Sequence, residues 1–157
     1  MRLEESRSLF DWLDGDFEVA FRAAERRFED SPFAPFKAVG MALASAVFLD
    51  QPAQLHRVVE MAATLPPGDL RRVFEGVARA VLAVQTEPTD GLERLGDILG
   101  GLKRLGWNFY LLLATAATAR LLPGDDPTRR ELLEEALSVA DEAGAEGLRN
   151  FVLTHVG

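Results

Sequence analysis

Residues 15–32, GDFEVAFRAAERRFEDSP, decide how the rest of the chain is read. Gly15-Asp16 breaks one helix and caps the next, Phe17, Ala20, Phe21 and Ala24 recur at the spacing of a single helix face, and Ser31-Pro32 ends the run. The segment therefore reads as the second helix of an antiparallel hairpin. A helix pair cannot bury its apolar stripe alone, so it calls for neighbours stacked on it.

Outward from this segment, helical periodicity dominates and strand signals are nearly absent. The sequence predicts an all-α chain of nine helices, over Leu3–Leu13, Phe17–Glu29, Ala34–Leu49, Ala53–Leu65, Leu70–Thr86, Gly91–Leu105, Trp107–Leu122, Pro127–Ala143 and Glu146–Val156. Between them lie Asp14-Gly15-Asp16, Ser31-Pro32, Asp50-Gln51-Pro52, Pro66-Pro67-Gly68-Asp69, Glu87-Pro88-Thr89-Asp90 and Pro123-Gly124-Asp125-Asp126-Pro127. Connections this short force successive helices to pack antiparallel. Asp126-Pro127 is the clearest start, an acceptor side chain followed by a residue that needs no donor, and Gly144 is placed to end the same helix.

Most helices carry one apolar stripe, such as Leu70, Val73, Phe74, Val77, Val81 and Val84. The run Phe109–Ala119 is more apolar, too short to cross a bilayer, and reads as a central helix buried on most sides. Leu92, Leu95, Leu99 and Leu102 share their helix with Gly96, Gly100 and Gly101, each of which weakens it by about 1 kcal/mol relative to alanine. Unless the backbones approach closely there, that helix is the one expected to kink or move.

The 157 residues suit one domain spanning 1–157, with 48% hydrophobic and 27% charged residues supporting an ordinary core. A net charge of -8 opposes a sequence-independent grip on nucleic acid, which needs clustered Lys and Arg, and disfavours anionic membranes. The pairs Arg26-Arg27, Arg71-Arg72 and Arg129-Arg130 have acidic neighbours and read as solvated, salt-bridged faces. The lack of cysteine removes disulfides, thiolate chemistry and cysteine-based zinc sites, and fits a cytoplasmic location. The opening MRLEESRSLFDWLD lacks the apolar centre of an export signal.

The corners Asp16, Asp50, Pro88 and Asp125 lie 34, 38 and 37 residues apart. Gly15, Asp16, Phe17, Ala20 and Pro32 fall where tetratricopeptide repeats place residues of their second helix and closing turn, and the chain resembles that family. Its period is about 34 residues. Two positions depart from the pattern: Arg27 stands where a small packing residue is usual, and the first helix lacks the usual glycine, for which only Gly40 in the second pair is a counterpart. The last pair, NFYLLLATAATARLLPGDDPTRRELLEEALSVADEAGAEGL, resembles the degenerate tetratricopeptide-like helices of bacterial transcription activators of the MalT and antibiotic-regulator types. The resemblance implies a right-handed superhelix of stacked hairpins with a concave binding face. For the activator type it implies effector sensing, although no basic recognition helix is present in the sequence.

Other chemistry is weakly supported. His56 and Glu60 are four apart on one helix but lack a third metal ligand, and His155 lies at the chain's end. Asp11, Asp14, Asp16 and Glu18 do not fit a helix-loop-helix calcium loop, and capping explains them. Glu134-Glu135 and Asp125-Asp126 sit on an outer face and at a turn, Gly96, Gly100 and Gly101 follow no strand, and no serine stands in a nucleophile elbow. The expectation is a non-enzymatic module with no cofactor, metal or nucleic-acid partner, binding a peptide or protein segment. Most of the aromatic residues should be core, while Lys37, Arg79, Asn108, Tyr110 and Arg120 are placed to point into the concave face. Two alternatives are an effector-sensing regulatory domain and a helical-bundle enzyme or ligand-binding protein. Leu148, Phe151, Val152 and Val156 leave the last helix either to fold back or to pair with a second copy in a homodimer.

Overall fold

A computed structural model describes residues 11–30, 35–49, 51–106 and 108–156. Most of the predicted first helix lies outside them, as do Phe10, Ser31, Pro32, Phe33, Asp50 and Trp107. Residues 11–13 are helical, and the turn after them follows from Gly15: its φ of 88° lets the Asp16 amide reach back to the Asp11 carbonyl at 2.8 Å and the Gly15 amide to Trp12 at 3.0 Å. The Asp16 carbonyl then accepts from Ala20 and starts the next helix.

Eight helices have defined bounds: α1 Phe17–Asp30, α2 Pro35–Ala46, α3 Pro52–Ala63, α4 Asp69–Thr86, α5 Pro88–Leu105, α6 Asn108–Leu121, α7 Pro127–Glu142 and α8 Glu146–His155. No strand occurs among the described residues. The chain is all-helical, as its periodicity requires. It gathers into two compact units, Met1–Arg79 and Ala80–Gly157, within what the sequence reads as one domain.

In the first unit α2 packs on both α1 and α3. Small residues let it sit between them: Ala38, Val39, Gly40, Ala42, Leu43, Ala44 and Ala46 are all buried. Its predicted end at Leu49 is wrong by three residues. After Ala46 the bonds shorten to the three-residue type, Phe48 to Ser45 and Leu49 to Ala46, which leaves the Ala44 carbonyl without a helical donor. The indole of Trp12, fully buried, supplies that donor at 2.9 Å. Trp12 also meets Phe17 edge-on and Phe48 at a tilt, with ring centroids 6.4 and 6.3 Å away, while Phe17 stacks on Phe48 at 5.0 Å.

In the second unit α6 is the central helix the sequence predicts, buried continuously from Leu111 to Ala119. Thr115 and Thr118 turn their hydroxyls back onto the carbonyls of Leu111 and Ala114, 2.6 and 2.7 Å away, so neither leaves a buried donor open. Helices α5 and α7 pack on α6, and α8 packs on α7. The last helix folds back, burying Phe151, Val152 and Val156. Asp126 accepts from the Thr128 amide at 2.9 Å with Pro127 first in α7, as its sequence demands.

Helix α5 corrects the sequence reading at its start. It begins at Pro88, three residues earlier than expected, because proline at the first position needs no donor, and only Glu87 separates it from α4. It also runs unbroken to Leu105 through its inner glycines, whose side-chain directions meet no backbone. The glycine that permits close approach is Gly91, where an added Cβ would strike the Val84 backbone nitrogen and lie 2.6 Å from Val84 Cα and the Ala83 carbonyl carbon.

Among the described residues no helix is long and apolar enough to cross a membrane.

Candidate functional site

The five residues expected on a concave face lie on three helices. Lys37 is exposed near the start of α2 and Arg79 is exposed on α4, both in the first unit. Tyr110 and Arg120, half-buried, are both on α6 in the second unit, about 15 Å apart along the helix axis. Tyr110 meets Phe109 edge-on at 5.4 Å, and burial raises its phenol above the usual value. Asn108 opens α6, and its side chain lies outside the described residues. Tyr110 and Arg120 thus share one helix.

A cleft of about 280 Å³ lies elsewhere, between α1 and α3. Glu18, Phe21, Arg22 and Glu25 line it from α1, and Ala53, Gln54 and Arg57 from α3. Arg57 is pinned at one side: its Nε donates to Glu25 at 2.9 Å and Nη2 to Glu29 at 3.2 Å, Glu60 lies 3.5 Å away, and the Phe28 ring lies under the guanidinium at 5.9 Å. The hydrogen bond that Arg57 donates to Glu25 raises its pKa against partial burial, and the charges of Glu25, Glu29 and Glu60 add to it. Arg57 is a fixed positive charge at any working pH.

The other side of the cleft is less complete. Glu18 Oε1 accepts from Arg22 Nε at 2.9 Å, but Glu18 Oε2 and Gln54 Oε1 are shut off from solvent and take no hydrogen bond in the structure. The lining of the cleft is balanced in charge, Glu18 and Glu25 against Arg22 and Arg57, with Glu29 and Glu60 reaching Arg57 from outside it.

The sequence did not single out this cleft. Its one usable signal was an offset: Glu25 and Arg57 are 32 residues apart, close to the hairpin interval, and opposite in charge. The other candidate groups stay dispersed. His56 and Glu60 are exposed on α3, and no group of three or more His, Asp or Glu among the described residues is placed to hold a metal ion. Glu135 pairs with Lys103 at 2.5 Å, and Asp126 serves as a cap.

No family model, curated protein or solved structure matches the chain.

Proposed function

We propose that this chain is a non-enzymatic interaction module, a tetratricopeptide-like array of antiparallel hairpins that holds a peptide or protein segment on the face formed by the first helix of each pair. One observation carries the reading. Trp12 to Ala44, Arg57 to Glu25 and Lys103 to Glu135 each join successive hairpins, and each spans 32 residues. The first pair links first helices, and the other two link second helices. A constant sequence step between equivalent contacts is what stacking of like units produces, and the repeat family steps by about 34. The step recurs within each of the two units. Gly15, Asp16, Phe17 and Ala20, which resemble the start of the family's second helix, precede Glu25 in the same segment.

In that arrangement α2, α4 and α6 are the first helices, and Lys37, Arg79, Tyr110 and Arg120 lie on them. A rigid helical surface contributes contacts while the partner segment is ordered on binding. The test starts with affinity capture from the native cell and identification of the partner by mass spectrometry. Titration calorimetry follows with the purified partner fragment. Saturable binding is expected, weakened about tenfold or more by alanine at whichever of Lys37, Arg79, Tyr110 and Arg120 anchors the partner. A partner affinity indifferent to all four substitutions would sink the assignment of the face, and turnover of a bound small molecule would sink the non-enzymatic reading.

A further inference from the structure

We infer that α7 and α8 straighten into one helix and exchange α8 with a second copy of this chain. The occupant is fixed by what already fits: the surface of α7 that a second copy's α8 takes is the one the chain's own α8 covers. The exchange does not depend on what the array binds.

The corner between the two helices is three residues long, Ala143, Gly144 and Ala145. Ala143 is already right-handed, at φ -78° and ψ -7°. Only Gly144, at φ 64°, and Ala145, at φ -97° and ψ 76°, have to turn for the helix to run on. Gly144 is the stop: its left-handed backbone brings the Ala145 amide back to the Ala140 carbonyl at 2.9 Å and closes α7. Ala143, Ala145 and Glu146 beside it are good helix formers, and Gly147 is inside α8 in either form. Ala145 offers α8 no side-chain cap. In the straight helix the amides of Glu146, Gly147 and Leu148 instead meet the carbonyls of Glu142, Ala143 and Gly144.

What holds α8 in place is indifferent to which copy supplies it. Phe151, Val152 and Val156 are buried, Arg149 grips both carboxylate oxygens of Asp141 at 2.9 and 2.8 Å, and Arg129 donates to the Val156 carbonyl at 3.0 Å. All of these re-form between copies after exchange, so the two forms differ in the corner and in their dependence on concentration. Glu142 and Glu146 stand one turn apart in the straight helix and repel, and together with Gly144 they keep a dilute chain folded back.

The test refolds the full chain from urea at about 10 μM and at about 1 mM and measures its mass by light scattering. The wild type should be monomeric at the lower concentration and partly dimeric at the higher. At Gly144 an added Cβ meets no atom within 4 Å, so Gly144→Ala disturbs only the left-handed corner. It should raise the dimerisation constant about a hundredfold or more, about tenfold for each of the two corners in a dimer. Gly124→Ala, equally open and outside that corner, should change nothing. In dimers made from equal parts of carbon-13-labelled and unlabelled chain, isotope-filtered Overhauser contacts between Arg129 and Val156 should cross from one copy to the other. Contacts confined to one copy would mean assembly without exchange and would overturn the inference. So would a wild type that stays monomeric at about 1 mM, or a Gly144→Ala chain that folds with its dimerisation unchanged. Should Gly144→Ala fail to fold, the wild-type contacts decide alone.

Discussion

Both units are built around an alanine-rich helix buried on nearly all sides, α2 in the first and α6 in the second, and both must satisfy a carbonyl where that helix stops. They do it with different chemistry. The Ala44 carbonyl takes the neutral indole of Trp12, which is fully buried and belongs to the preceding hairpin. The Leu122 carbonyl just past α6 takes the half-buried guanidinium of Arg129, at 3.0 Å, and the same side chain reaches the Val156 carbonyl after α8, also at 3.0 Å. A buried indole combines burial with one hydrogen bond, while a partly solvated cation supplies charge and two bonds. The first unit should therefore depend on packing, and the second on an interaction that salt weakens.

The largest effect comes from breaking the indole. Trp12→Ala removes a fully buried side chain and strands the Ala44 carbonyl, so a loss of about 3–5 kcal/mol is expected in urea unfolding. Hydrogen exchange should speed up in α1 and α2 and stay unchanged in α6. Arg129→Ala should cost about 2 kcal/mol, loosen α8 first, and cost less in high salt. Equal losses and equal salt dependence for the two substitutions would remove the distinction between the units.

The second unit also holds two glycine environments that sharpen the contrast. Gly91→Ala drives a methyl into the α4 backbone at Val84 and should cost about 1–3 kcal/mol, because backbone atoms cannot swing aside. Gly96→Ala points into open space on the same helix and should raise the melting temperature, a gain of about 0.5–1 kcal/mol. If Gly96→Ala destabilised the chain instead, its face of α5 would be occupied by something beyond the described contacts.

Smaller differences separate the two charged links that span 32 residues. Arg57 is about one-third exposed and bound by three carboxylates, so Arg57→Ala should cost about 1 kcal/mol. Lys103 is about half exposed with one partner, and Lys103→Ala should cost no more than a few tenths of a kcal/mol. A double-mutant cycle on each pair measures this. A coupling for Lys103–Glu135 larger than that for Arg57–Glu25 would reverse the ranking that exposure and partner number impose.

What could be read in advance was whatever is local in sequence. Gly15, Asp126-Pro127 and Gly144 mark helix ends through their own backbone chemistry, and α6 announces its burial by an unbroken apolar run whose threonines are satisfied one turn back. The end of α2 could not be read this way, because it depends on a donor 32 residues earlier, and the apolar pattern itself runs on to Leu49. Gly91 was hidden for a similar reason. It stood as the first residue of the predicted helix, while Gly96, Gly100 and Gly101 drew attention inside a leucine pattern, and only the path of α4 shows which glycine the fold requires. The α1/α3 cleft is assembled from ordinary charged residues, each reading alone as a solvated helix face, so its geometry exists only once the hairpins stack.

Tyr110 gives the smallest and cleanest test, since it is the single tyrosine in the chain and lies on α6. Burial holds its phenol neutral to a higher pH than a free tyrosine, whose value is about 10. Below that pH the folded and unfolded chains are both protonated there and the group is indifferent. Above it the unfolded chain ionises first, so stability falls as pH rises through and beyond the unfolded value. The tyrosinate absorbance band should accordingly appear later in the native protein than in urea. A partner segment that covers Tyr110 should delay it further. If the native and urea titrations coincide, Tyr110 is open to water, and α6 is less enclosed at its first turn than along Leu111 to Ala119.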